Sequence, residues 1–102
     1  MPLPEVTEAD LLHHLPHAKN KEAILFVTAL CGTCKLAERM LEIVLAASVQ
    51  IDIRKLNINY APRLRDAWKI SSVPCLVIIQ DGKPVQFEYA MQSVDHLYGL
   101  LK

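Results

Sequence analysis

A surplus of charge of either sign is missing from this sequence. Eleven Lys and Arg balance eleven Asp and Glu, giving a formal net charge of zero. Such a chain carries no global field to draw nucleic acid or an anionic membrane surface. No Lys/Arg cluster interleaved with aromatics occurs either, so nucleic-acid binding is set aside. Long hydrophobic runs are missing too. The longest, Ala23 to Cys31 broken only by Thr28, falls far short of the ~20 residues of a membrane span. Met1 to Glu8 hold no basic segment and no apolar stretch, so they do not read as a secretory signal. The expectation is a soluble, cytoplasmic protein with no membrane partner. Cysteine is scarce: Cys31, Cys34 and Cys75 are too few for the disulfide framework of a small secreted domain. Internal repeats and low-complexity segments are absent.

What is present suits one folded unit. The 102 residues are 52% hydrophobic, enough for a sizeable core, and residues 1–102 are read as a single domain. Thr7 is placed to cap a first helix with Leu11, Leu12 and Leu15 inward, and Pro16 to end or kink it. Ala23–Leu30 is β-rich and almost continuously apolar, the pattern of a central strand covered on both faces. From Cys34 to about Ala47, Leu36, Ala37, Met40, Leu41, Val44 and Leu45 recur at helical spacing. Lys35, Glu38, Arg39 and Glu42 take the outer face.

Val49–Ile58 alternates like a strand, and Ala61-Pro62 opens a short helix ending at Trp68. Leu76–Ile79, Asp81-Gly82 and Val85–Tyr89 form a hairpin, and Ser93 caps a final helix. A further short strand is expected at Pro4–Val6. The order implies an α/β fold, a central mixed sheet of four or five strands with helices on both faces.

Chemistry concentrates at Cys31-Gly32-Thr33-Cys34, where the strand gives way to the helix. A thiol at a helix N-terminus faces unpaired N–H groups and the positive end of the peptide dipoles. Both favour thiolate, the reactive form. A second cysteine one turn on allows a disulfide to form and break within one loop.

With Cys31-Gly32-Thr33-Cys34-Lys35 stand Lys55-Leu56-Asn57-Ile58-Asn59, Ile70-Ser71-Ser72-Val73-Pro74 and Gln80-Asp81-Gly82-Lys83. Over nearly its whole length the chain resembles the thioredoxin family. The resemblance implies a thioredoxin-like fold and a thiol–disulfide oxidoreductase contributing to cell redox homeostasis, without a cofactor. It makes Cys31 the nucleophile that forms a mixed disulfide with substrate, and Cys34 the buried resolving cysteine. It implies a cis Val73–Pro74 bond beside the thiols, with Val73, Pro74, Gly32 and Thr33 contacting substrate. The implied partners are disulfide-containing proteins and a reductase or low-molecular-weight thiol as electron donor, with the protein a monomer.

The chain departs from the family pattern at several places. Thr33 stands where thioredoxins proper have proline, Leu30 where they have tryptophan, and Arg39 where they have a mid-helix proline. Leu25 stands where they bury an aspartate that helps deprotonate the resolving cysteine. Cys34 is therefore expected to react slowly or to use another base, and Lys55, the lysine beside that aspartate, to lack its partner. Cys75 follows Pro74 where threonine is usual. It is either a buried, inert thiol or an accessory one, and by strand alternation it should face away from Cys31.

Two other readings stay open here: a metal- or cluster-binding module using Cys31, Cys34 and Cys75, or a redox-inert interaction domain. His13 and His17 share i,i+4 spacing, but Pro16 between them favours a solvated helix end over a metal site. No metal is assigned.

Overall fold

Six consecutive buried residues, Glu22–Val27, make β1. Alternate side chains go to opposite sides. Ala23, Leu25 and Val27 join one apolar cluster, and Ile24 and Phe26 the other. A strand apolar on both faces is stable only inside a sheet covered on both faces. In the computed structural model, which describes residues 2–47 and 49–102, β1 is central. It pairs in parallel with β2 (Asp52–Asn57) and antiparallel with β3 (Cys75–Gln80). β3 in turn pairs antiparallel with β4 (Lys83–Glu88), giving the order β2-β1-β3-β4.

Helices cover both faces. α2 (Gly32–Ala46) sends Cys34, Ala37, Leu41 and Val44 into the first cluster, and α4 (Val94–Leu101) adds Leu97 and Leu101. α1 (Glu8–His14) and α3 (Pro62–Trp68) place Leu11 and Leu64 in the second. Each fully buried Leu of this kind contributes about 1.5–3 kcal/mol by leaving water. Trp68 packs edge-on against Phe26, ring centroids 6.0 Å apart. Glu22, where β1 begins, is met by Arg54 of β2 and by His14 of α1 at 3.0 Å.

Several boundaries differ from the sequence reading. The expected strand at Pro4–Val6 is a single parallel bridge, Glu5 to Lys55. Val6 N donates to Lys55 O and Lys55 N to Pro4 O, each at 2.9 Å. Pro2 and Pro4 have no N–H to extend the ladder. β1 stops at Val27, three residues early, and Ala29 and Leu30 emerge to solvent. β2 is shorter than Val49–Ile58. It ends where the Asn57 side chain accepts from Asn59 N at 2.9 Å and starts a 3-10 turn, Ile58–Tyr60. Pro16 sits in a 3-10 turn, Leu15–His17, that follows α1.

The hairpin between β3 and β4 fits a two-residue Asp-Gly turn, with φ of 54° at Asp81 and 78° at Gly82. Gly82 is doubly constrained. A Cβ there would lie 2.2 Å from the carbonyl oxygen of Leu15. Gly82→Ala is therefore expected to lower the stability of the fold by about 2 kcal/mol or more in chemical denaturation. A loss under half that size would show that the hairpin and the Leu15 turn move apart freely.

Candidate active site

The chain leaves the sheet after Val27 and re-enters regular structure at Gly32, two residues earlier than the apolar periodicity suggested. Cys31 itself is the N-cap of α2, in extended conformation (φ −108°, ψ 108°). Its Sγ accepts from the backbone N–H of Cys34 at 3.1 Å, the place a Ser or Asp oxygen usually takes. Gly32 and Thr33 carry no apolar signal of their own, so the helix start is invisible to hydrophobic spacing.

Cys31 and Cys34 are joined as a disulfide, with Cα atoms 5.1 Å apart. That spacing is ordinary for a disulfide. The two sulfurs differ in access: Cys31 is partly exposed, while Cys34 is fully buried in the cluster beneath α2. The Thr33 hydroxyl lies 3.3 Å from Cys31 Sγ. With that sulfur in a disulfide, the hydroxyl is the donor.

The loop before β3 holds a cis Val73–Pro74 bond. Val73 packs against both apolar clusters, and Cys31 against one of them. Pro74 and Thr33 line a common groove of about 320 Å³, with Leu36, Met40, Tyr89 and Met91. Leu30 is fully exposed beside the motif. The structure therefore brings Cys31, Thr33, Cys34, Val73 and Pro74 to one end of the sheet; Gly32, in the first turn of α2, is exposed there.

Cys75 is not part of this group. It pairs with Phe26 across β1 and β3 and lies among Leu11, Leu64 and Val77, on the opposite face from Cys34. The three thiols of the metal or cluster reading do not converge. His13 and His17 are exposed with ring centroids 6.1 Å apart. Among the described residues, no three His, Cys, Asp or Glu side chains gather as a metal set. Burial pushes the Cys75 thiol from an ordinary 9.0 up to about 11, with a hydrogen bond from Tyr89 pulling the other way.

Two expectations about α2 are corrected. Leu36 is not an inner-face residue; it is 58% exposed and forms a wall of the groove. Lys55 does have a partner. Its Nζ donates to Glu38 Oε1 at 2.8 Å, with both side chains mostly shielded from solvent. Helical spacing put Glu38 on the solvent face, but β2 comes close enough to that side of α2 for the lysine to reach across. An acid one turn after Cys34 was the signal available.

Comparison with known proteins agrees with this geometry. The family model described as Thioredoxin matches residues 3–101. The Thioredoxin-like protein YusE of Bacillus subtilis is 38% identical over 91 residues, covering 88% of this chain and 86% of that one. A thioredoxin of Chlamydia trachomatis is 32% identical over 76 residues, 74% of each chain. Among solved structures, a mutant thioredoxin from Halobacterium salinarum superposes with a TM-score of 0.81 at 25% identity, covering 98% of this chain and 87% of that one. Mitochondrial thioredoxin 3 of Saccharomyces cerevisiae shares the fold with a TM-score of 0.81 at 18% identity, covering 97% of this chain and 92% of its own.

The split in thiol environment can be measured directly. In reduced, folded protein at pH 8, iodoacetamide is expected to alkylate Cys31 and leave Cys75 unmodified, because Cys75 stays protonated until pH nears 11. Peptide mass mapping reads the sites. Labelling of Cys75 at the Cys31 rate would contradict its burial.

Proposed function

The chain belongs to the thioredoxin family and is a thiol–disulfide oxidoreductase; from that premise we propose how its residues divide the work. Cys31 is the attacking thiol. It is the more exposed sulfur, and it sits where the N-terminus of α2 favours negative charge. In the disulfide form the Cys34 N–H and the Thr33 hydroxyl both lie against this sulfur, and on reduction the same two donors are placed to hold its thiolate.

The thiolate attacks one sulfur of a substrate disulfide. A Cys31–substrate bond forms and the other substrate sulfur leaves as thiolate. Cys34 then loses its proton and attacks Cys31 Sγ. The mixed disulfide breaks, the second substrate sulfur leaves, and the Cys31–Cys34 disulfide remains, which is the state of the structure. Two electrons from a donor reset the pair.

Thr33 and Pro74, which share the groove, receive the substrate chain together with Val73 and the exposed Gly32 beside them, and Leu30 extends this surface as an exposed apolar edge. Cys75 is a structural thiol. The substrates are proteins bearing disulfides. The donor is a reductase or a low-molecular-weight thiol of a reducing compartment, the cytoplasm. Residues 1–102 act as one domain and as a monomer. No helix among the described residues is long and apolar enough to cross a membrane.

One observation carries this reading: a disulfide at the cap of α2 whose two sulfurs differ in burial. Reduction of insulin by dithiothreitol tests it. The protein is expected to accelerate insulin precipitation, Cys31→Ser to fall to the uncatalysed rate, and Cys34→Ser to accumulate a mixed disulfide visible on a non-reducing gel. Catalysis surviving in Cys31→Ser, or a trapped adduct on Cys75, would overturn it.

A further inference from the structure

Cys34 is fully buried, yet its thiol must lose a proton before its sulfur can attack the mixed disulfide. Its neighbours across the cluster, Leu25, Leu41 and Leu76, offer no base. Glu22, the buried acid of β1, lies at the far end of that strand and is held by Arg54 and His14.

Glu38 is placed otherwise. It follows Cys34 by one helical turn, where Cβ atoms stand roughly 6 Å apart. Helical side chains lean toward the N-terminus of their helix, so Glu38 extends along the Cys34 side of α2, with its carboxylate meeting Lys55 of β2. Its side chain is 17% exposed and is held at 2.8 Å by Lys55. Lys55 is itself fixed, its backbone N–H and C=O both bonded to the Pro4–Val6 segment.

The pair lines a cavity of about 240 Å³ that is also bordered by Thr28 and Ala29 of the loop leading to the motif and by Lys35, the residue after Cys34; Cys34 itself lies behind this wall. The walls are polar and the space admits water, which can bridge groups that do not touch.

We propose that Glu38, positioned by Lys55, is the proton acceptor for Cys34 when Cys34 resolves the mixed disulfide. The proposal rests on the assignment of Cys31 as attacker and Cys34 as resolver. The Cys34 S–H bond breaks and its proton passes along one turn of α2, directly or through a water, to the Glu38 carboxylate. The Cys34 sulfur bonds to Cys31 Sγ, and the Cys31–substrate S–S bond breaks with its electron pair leaving on the substrate sulfur. The proton on Glu38 then returns to that thiolate or to solvent. The function of a buried acid on β1 is thus carried from α2, with Leu25 left apolar.

Other ionisable groups face the same space: Lys55 from β2, Glu5 from the N-terminal segment, and Lys35 from α2. β1 contributes only Val27, with Thr28 and Ala29 beyond it.

Stopped-flow reaction of the reduced full chain with dithiobis(nitrobenzoate) separates the two steps. Attack by Cys31 releases one coloured thiolate, and attack by Cys34 releases a second. In Glu38→Gln the second release is expected to slow roughly tenfold or more at pH 7, within the usual reach of general-base catalysis. Its rate should then depend more steeply on pH than that of the wild type, because hydroxide replaces the lost base. The first release should stay within about twofold of wild type, and Glu38→Asp should recover most of the second. A second release with wild-type rate and pH profile in Glu38→Gln overturns the proposal. Equal slowing of both releases overturns it too, since that marks a structural role. A first release that persists in Cys31→Ser would instead overturn the assignment of Cys31.

Discussion

The hydrogen bond from the Cys34 backbone N–H to Cys31 Sγ is the contact on which the site depends. It makes a sulfur the cap of α2, so one atom both ends the loop and begins the chemistry. A helix needs acceptors for its first N–H groups, and a thiolate is a better acceptor than a thiol. The fold therefore has a local reason to favour the reactive form. The same bond sets the unequal burial of the two cysteines, because the cap stays at the surface while the residue three positions on turns into the core.

The sheet separates what sequence proximity would join. Pro74 and Cys75 are neighbours in the chain, but Pro74 lines the groove beside Thr33 while Cys75 packs with Phe26 on the other face. An extra thiol is thus kept away from the redox pair without being removed. The sheet also joins what the sequence separates. Lys55 on β2 meets Glu38 on α2, and both backbone groups of Lys55 are bonded to the N-terminal segment. Leu25 can stay apolar because its environment, with Leu41, Leu76 and Ile78, is uniformly so. The polar function beneath the motif lies to one side of it.

Much of this was legible from local rules. Thr7 and Ser93 cap their helices as their types suggest, accepting from Asp10 N and His96 N. Pro62 opens α3, and Asp81-Gly82 makes the hairpin. The almost continuous apolar run from Ala23 correctly marked β1 as central. Cys31 and Cys34 were legible from their spacing at the strand–helix junction, whereas Val73 and Pro74 came through the family resemblance, which reaches across the forty or so residues that periodicity cannot bridge. What local rules missed depends on tertiary approach. Glu38 looked solvated because an acid on a helix's polar face usually is, and only the course of β2 turns it into half of an ion pair. Leu36 fits the inner stripe by spacing, yet among the described residues no element covers its side of α2, so it borders the groove.

A redox titration of the whole protein bears most directly on the central claim, that Cys31 and Cys34 form one reversible dithiol/disulfide couple. The protein is equilibrated across a series of dithiothreitol buffers, quenched with acid, and its thiols are located by alkylation and mass mapping. The expected result is a single two-electron transition in which Cys31 and Cys34 change together while Cys75 remains a thiol throughout. A pair that stays reduced under every buffer, or a transition that links Cys75 to either partner, would contradict it.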